Sequence, residues 1–419
     1  MSNIRKPELL MPAGNLETLK TAVIYGADAV YIGGEAFSLR AKADNFGKDV
    51  MKEAIRFAHE GNCKVYVTVN IFAHNRDLKE AAAYLEELRD IGPDALIMSD
   101  PGLMMQAKAI CPQIPIHVST QMNNTNYGIF NFWYGLGAAR VVCARELTLE
   151  EIREIKAHIP ADKEIEAFVH GAMCISYSGR CLLSSFMAGR DANLGACTHP
   201  CRWQYSLMEE SRPGEYYPVT ENERGTFIFN SKDMCMIEHI PELVEAGIDS
   251  FKVEGRMKTQ LYVATVARCY RRAIDDYFED PEKYRRNIPL YRKEVEKCTY
   301  REYSTGFYFG RPGAEGQIYD ASTYVKDYVY YGCADSVDPD GRVHLMQKNK
   351  FSVGDTFEIL KPDMTDVPVT VLSIRDEQTG EEMPSCPHAS QRISVLFADG
   401  TDREKPAAVC QGDILGGRA

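Results

Sequence analysis

Thirteen cysteines occur in the 419-residue chain, and four of them are spaced where they could do chemistry. Cys174, Cys181, Cys197 and Cys201 fall within 28 residues, in a stretch rich in Gly, Ser and Arg. Cys63, Cys111, Cys143, Cys269 and Cys298 instead lie singly in apolar runs and read as small buried hydrophobes. A disulfide scaffold is a short, cysteine-dense, secreted chain. This chain is long, and its opening, MSNIRKPELLMPAG, lacks the apolar region of a secretory signal. In a reducing compartment, clustered thiols are more often metal ligands or redox groups than bridges. Zinc ribbons favour two C-x2-C knuckles, whereas here a spacing of seven precedes a single C-x3-C pair. Four thiolates on a Gly-rich loop therefore suit an iron–sulfur cluster, whose ligand spacing is more permissive; zinc and unligated loop thiols are the other readings. A cysteine nucleophile would need one thiolate with a histidine in reach. His170, four residues before Cys174, and His199, between Cys197 and Cys201, nominally supply one. No H-E-x-x-H or G-x-S-x-G offers another hydrolytic mechanism.

The same stretch carries Arg180, Arg190 and Arg202, interleaved with Tyr177, Trp203 and Tyr205. Guanidinium groups beside aromatic faces suit phosphate contact and base stacking. They suit an anionic small molecule equally well, and Trp203 also fits a core position.

The elements that must position these residues repeat one unit. A short β-branched run, a polar or Gly break and an amphipathic helix recur from Pro7 to about Ile159. The runs are Glu8–Met11, Ala29–Ile32, Lys64–Val69, Ala95–Met98, Ile116–Ser119 and Arg140–Ala144; Ile165–Val169 and Ser250–Val253 continue the series. Asn15 and Thr148 are placed as helix N-caps, and Gly26, Gly61, Gly92 and Gly137 as helix stops. Eight strand–helix units predict a (β/α)8 TIM-type barrel over residues 1–279, with an open doubly wound sheet as the alternative. The absence of a G-x-G-x-x-G after the first strand disfavours a dinucleotide fold. Active sites of such barrels occupy the C-terminal ends of the strands. That rim includes Arg145-Glu146, His170-Gly171 and Glu254-Gly255-Arg256. Strand ends meet solvent and are polar anyway, but here both signs of charge directly follow buried runs. Arg145 and Arg256 are candidate carboxylate anchors. Glu254 and His170 are candidate proton carriers, His170 because imidazole ordinarily titrates near neutrality.

The cysteines lie in a roughly 60-residue departure from the barrel, at about 174–229, too long for a mere connector. Residues 280–319 read as a linker, either a solvated helix or a basic ledge using Lys283, Arg285, Arg286, Arg292 and Lys293. Over 320–419, short runs (YVYYGCADSV, RVHLMQ, TFEILK, VPVTVLSI, RISVLFA) separated by turn signals predict a small antiparallel β-barrel domain. Sixty acids against 48 bases, a net charge of −12, exclude a protein that coats nucleic acid nonspecifically but not one with a local basic groove. No window approaches a membrane span, so a soluble, cytoplasmic protein without a membrane partner is expected.

The segment EAFVHGAMCISYSGRCLLS, residues 166–184, resembles the signature of peptidase family U32. PELLMPAGNLETLKTAVIYGADAVYIGG, GPDALIMSDPGL, RDANLGACTHPCRW, FNSKD with KVEGRMK, and KNKFSVGDTFEIL resemble the same family, so the likeness spans nearly the whole chain. The family includes collagenase-like proteases and oxygen-independent hydroxylases of tRNA, rRNA and ubiquinone precursors. The match favours the tRNA hydroxylases. It thereby implies hydroxylation of the wobble uridine to 5-hydroxyuridine, a 4Fe-4S cluster, prephenate as co-substrate, and tRNA or another structured RNA as partner. The paired ubiquinone-pathway members add a paralogous protein to the expected partners. On this chain the implied cluster ligands are Cys174, Cys181, Cys197 and Cys201. Members that take their fourth cysteine later keep Cys235, in NSKDMC, as an alternative. Arg145 and Arg256 would then hold the carboxylates of prephenate. A peptidase using Cys174 or Cys181, and a non-catalytic RNA-binding protein, are the competing expectations. Four thiols exceed what hydrolysis needs, and metal ligation would consume their nucleophilicity.

Overall fold

The computed structural model describes residues 5–38, 45–174, 176–178, 180–202, 220–222, 225–227, 231–312, 316, 318, 324–388, 390–400 and 407–418. Strands and helices alternate from the start: β1 (Glu8–Pro12), α1 (Leu16–Ile24), β2 (Ala29–Gly33), α2 (Lys48–Glu60), β3 (Lys64–Val69), α3 (Asp77–Ile91), β4 (Ala95–Met98) and α4 (Pro101–Ile110). The series continues with β5 (Ile116–Val118), α5 (Tyr127–Gly135), β6 (Arg140–Val142), α6 (Leu149–Ala157) and β7 (Glu164–Ala172). The expected caps form: Asn15 and Thr148 each make a reciprocal capping box, with Thr18 and Glu151. Gly26, Gly92 and Gly137 take the left-handed conformation expected of helix stops, but Gly61 does not; Asn62 reverses the chain there, at φ 56°.

After β7 come the short helix α7 (Leu183–Ala188) and a hairpin of β8 (Thr220–Asn222) and β9 (Gly225–Phe227). Then follow β10 (Asp233–Cys235), α8 (Ile240–Glu245), β11 (Ser250–Val253), α9 (Gln260–Glu279), α10 (Pro281–Val295) and β12 (Tyr303–Ser304). Strands β1 to β7 pair in order and in parallel, and β11 closes the cylinder by pairing with both β7 and β1. The closed eight-stranded barrel replaces the open-sheet alternative. β7 runs past the rim, where β10 joins it antiparallel, with Cys235 opposite His170, and β12 extends that annex.

The segment expected to link two domains is firmly packed. Tyr284 and Tyr291 of α10 are buried; their hydroxyls donate to the Ile237 carbonyl at 2.9 Å and to Asp276 at 2.6 Å. Of its five bases, Lys283 pairs with Asp276 and Glu279, Arg285 with Glu282, Arg286 with Asp280 and Arg292 with Glu238. Those charges are matched within the fold, which removes most of the expected basic ledge.

The tail is a second closed, antiparallel barrel, built from β13 (Tyr328–Val337), β14 (Val343–Met346), β15 (Thr356–Leu360), β16 (Val367–Asp376), β18 (Arg392–Asp399) and β19 (Ile414–Arg418). A short β17 (Glu382–Met383) sits at the edge. The tail has its own apolar core, yet Leu360 and Ile414 pack into the core of the first barrel. The buried Tyr25 hydroxyl donates to the Leu360 carbonyl at 2.7 Å and accepts from the Ile414 amide at 3.0 Å. Arg268 of α9, fully buried, pairs with Asp366 at 2.5 Å and Glu294 at 2.6 Å, and Lys297 reaches the same two carboxylates.

Candidate active site at the barrel mouth

Each rim residue follows the C-terminal end of a parallel strand, so the closed sheet aims them at a common opening. Arg145, past β6, donates to Glu254 Oε2, past β11, at 2.9 Å, and its guanidinium lies 3.9 Å from the Phe168 ring centroid. Both side chains are nearly buried. The approach of β7 to β11 depends on Gly171, at φ 109°, where a Cβ would stand 2.7 Å from the Glu254 carbonyl oxygen. Arg256 is held by neutral acceptors: Ser38 Oγ at 2.7 Å, Thr68 Oγ1 at 3.2 Å and Asn45 Oδ1 at 3.0 Å. The two arginines expected to anchor an anion are thus already engaged, Arg145 by a carboxylate and Arg256 by hydroxyls and an amide.

The expectation that His170 titrates near neutrality does not hold. Its ring is enclosed by Tyr262, Tyr270 and Tyr303, and Nδ1 lies 3.5 Å from the Tyr270 hydroxyl. Burial, helped by Lys258, drives its pKa down to about 3, so it is neutral and poorly basic at physiological pH. Glu146 is the better proton carrier on the rim, since burial outweighs its hydrogen bonds and Arg145 and raises its pKa. Gln121, in the 3-10 turn after β5, carries more of the mouth than its sequence context signals. Its Oε1 accepts from Asn70, Ser99 and Ser119 at 2.8–2.9 Å. Its Nε2 is buried without a hydrogen-bond partner among the described residues.

Below the mouth the barrel interior is charged. Arg140 pairs with Glu8 at 2.6 Å, Glu164 at 2.7 Å and Glu166 at 3.1 Å, and Lys252 pairs with Glu166 at 2.6 Å. Burial raises the Glu8 and Glu166 carboxyls, but the cations outweigh it and leave both pKa values lowered. The Lys252 ammonium lies 5.5 Å from the Phe168 centroid, so Phe168 contacts a cation from the interior and another, Arg145, from the mouth.

The cysteine loop leaves from the end of β7. No disulfide joins any of the thirteen cysteines; Cys174 is exposed and Cys181, Cys197 and Cys201 are partly exposed, whereas Cys63, Cys111, Cys143, Cys269 and Cys298 are buried as expected. Ser184 ties the two halves of the loop, its hydroxyl accepting from the Thr198 amide at 3.0 Å. The His199 amide donates to Cys197 Sγ at 3.4 Å. Among the described residues, no three His, Cys, Asp or Glu side chains stand close enough together to hold a metal ion. The donor set, four at least partly exposed thiols on one loop, nevertheless has the chemistry an iron–sulfur cluster requires. Cys235 suits it less: burial pushes its thiol up to about 12, and its sulfur lies 3.9 Å from the Tyr270 hydroxyl. The Arg202 side chain, Trp203 and Tyr205 lie outside the described residues.

Comparison with known proteins adds to this geometry. The chain is 42% identical over 393 residues to "tRNA hydroxylation protein P1" of Bacillus subtilis, covering 93% of this chain and 91% of that protein. It is 38% identical to "tRNA hydroxylation protein P" of Escherichia coli, covering 91% and 92% of the two chains. It is 44% identical to "Uncharacterized protease MJ0090" of Methanocaldococcus jannaschii, covering 72% and 73%. Residues 14–318 match peptidase family U32, and residues 326–415 match the peptidase family U32 C-terminal domain. The chain belongs to peptidase family U32.

Proposed function

We propose that this chain is an RNA hydroxylase that converts the wobble uridine of tRNA to 5-hydroxyuridine, with a 4Fe-4S cluster on Cys174, Cys181, Cys197 and Cys201 and prephenate as co-substrate. The observation that carries the reading is the likeness, over nine-tenths of the chain, to two relatives named for tRNA hydroxylation. Four reachable thiols beside the barrel mouth support it. Replacing the C5–H of a uridine by C5–OH adds one oxygen atom and removes two electrons, so the reaction needs an oxygen donor and a two-electron acceptor besides the RNA, and a bound cluster would relay those electrons one at a time next to the substrate. The chain's own contribution is positioning. Arg145, braced by Glu254 and Phe168, presents a fixed cation to an anionic co-substrate, Gln121 Nε2 offers a buried donor, and Glu146 is the carboxyl able to take or give a proton.

The peptidase reading draws on the relative named a protease. It is weakened by His170, whose pKa of about 3 makes it a poor base for activating a cysteine thiol. The deciding experiment is deletion of the gene in its native host, followed by mass analysis of nucleosides from total tRNA. The wobble uridine derivative should lose one oxygen, about 16 Da, and recover with the wild-type chain but not with Cys174→Ala. Unchanged nucleoside masses, together with thiol-dependent cleavage of a gelatin-like peptide by the pure protein, would establish the peptidase instead.

A further inference from the structure

The cysteine loop carries a surface that the hydroxylase chemistry itself does not use. A pocket of about 540 Å³ opens between the turn after β5 and this loop, lined by Asn123, Thr125, Ser176, Tyr177 and Arg180. That volume is ample for one nucleotide. Arg180 is exposed and already positioned: its Nε donates to Asn123 Oδ1 at 2.7 Å, and the guanidinium lies 5.5 Å from the Phe72 ring. Asn123 in turn donates to the Ser178 carbonyl at 3.2 Å. Among the described residues no hydrogen-bond acceptor is found for the terminal nitrogens of the exposed Arg180. Tyr177 is 47% exposed, Leu182 67% and Phe186, on α7, 91%. An aromatic ring so fully in water gains nothing for the fold. Charge is complementary to an anion: among the described residues from Gly171 to Cys201 the loop has Arg180 and Arg190 against the single acid Asp191, in a protein of net charge −12.

We infer that this surface binds single-stranded RNA: the pocket beside Tyr177 takes one nucleotide, with Arg180 on its phosphate, and Phe186, exposed further along the same loop, stacks another base of the strand. Aromatic faces hold any unstacked base, whereas bases inside a duplex present no free face. The assignment therefore selects a loop over a helix, and it rests on the RNA-hydroxylase reading for the identity of the polymer.

The test uses the full chain and fluorescein-labelled RNA, a stem–loop and a duplex of equal length, with anisotropy measured across a salt series. Phe186→Ser should weaken stem–loop binding about tenfold, in line with one base–aromatic stack, and Phe186→Trp should restore it. Arg180→Ala should weaken it too and flatten the log–log salt slope by about 0.7, one single-strand phosphate contact. Duplex binding should be unchanged by all three. Phe186 is nearly free of the fold, so its variants remain informative even if Arg180→Ala proves unstable. Stem–loop affinity within twofold of wild type for both Phe186→Ser and Arg180→Ala would overturn the assignment. So would equal losses on duplex, or a change of oligomeric state in Phe186→Ser with RNA binding intact. The nucleoside masses of the deletion strain report separately on the hydroxylase reading, so either conclusion can fail while the other stands.

Discussion

Arg268→Ala should uncouple the tail barrel from the first barrel. The guanidinium is wholly buried and contacts Asp366 and Glu294, while Lys297 reaches both acids as well, at 2.7 and 3.1 Å. Removing it leaves two enclosed carboxylates sharing one ammonium, a change that typically costs about 3–5 kcal/mol. How that loss appears depends on what melts. If the whole chain unfolds as one unit, an unfolding entropy near 2.1 cal/mol/K per residue makes about 4 kcal/mol worth only about 4–5 °C. If the roughly 90-residue tail melts alone, the same loss is worth about 20 °C. The chain has two tryptophans, Trp133 and Trp203, both outside the tail, so indole fluorescence follows the first barrel and far-ultraviolet dichroism follows both. Wild type should give coincident transitions. Arg268→Ala should give a large early dichroism transition that is silent in fluorescence, and adding Asp366→Asn should recover part of the loss. A single coincident transition shifted by less than about 1 °C would refute the coupling argument.

Four further outcomes can be checked. The unfolded chain takes up a proton at His170 below pH 6.5 and the folded chain does not until about 3, so this contribution to stability is lost as pH falls through that window. Between neutral pH and about pH 5, His170→Gln should abolish a loss of about 2 kcal/mol, read from urea midpoints; an unchanged slope would contradict the buried neutral imidazole. Anaerobically purified wild type should be brown; Cys201→Ala should lose the visible absorbance and Cys235→Ala keep it, whereas a colourless preparation with stoichiometric zinc would exclude the cluster. Arg145→Lys keeps the charge but loses the planar contact with Phe168 and the 2.9 Å hydrogen bond from the guanidinium to Glu254, so RNA hydroxylation should drop at least about tenfold while melting moves little; full activity would remove Arg145 from the site. Gly171→Ala should damage both folding and activity, because it combines a positive φ with a 2.7 Å approach to the Glu254 carbonyl; a wild-type melting curve would show that the rim relaxes easily.

The alternation of strand and helix was readable because parallel strands are buried on both faces and so appear as short continuous apolar runs. The tail strands were readable from their alternation and their turns. β19 was not, because ILGGR has two glycines where β-branched residues are expected. A Cβ at Gly416 would stand 2.4 Å from the Tyr328 ring, so close packing, not strand propensity, sets the residue there. The rim was legible as positions but not as chemistry. Arg145, Glu254 and Arg256 could be placed at strand ends, yet the aromatic enclosure that neutralises His170 comes from Tyr262, Tyr270 and Tyr303, all more than 90 residues away. The interior ion cluster escaped for the same reason. Arg140 meets Glu8 across 132 residues and Lys252 meets Glu166 across 86, and no local spacing encodes such pairs.

The uneven exposure of the cysteines sorts them by rate of attack. An alkylating reagent or peroxide reaches Cys174 and Cys410 first and the partly exposed Cys181, Cys197 and Cys201 next, while Cys235 and Cys333, also partly exposed, are slowed because burial pushes their thiols up to about 12. Cys63, Cys111, Cys143, Cys269, Cys298 and Cys386 wait for the barrels to open. In a chain whose loop thiols are not engaged, aerobic damage would therefore begin at the proposed ligands and at Cys410, while the buried cysteines of both cores stay untouched. Engaging the four loop thiols would shield them and leave Cys410 as the fast-reacting site, so mass spectrometry after a brief alkylation pulse counts, molecule by molecule, how many chains carry an intact centre.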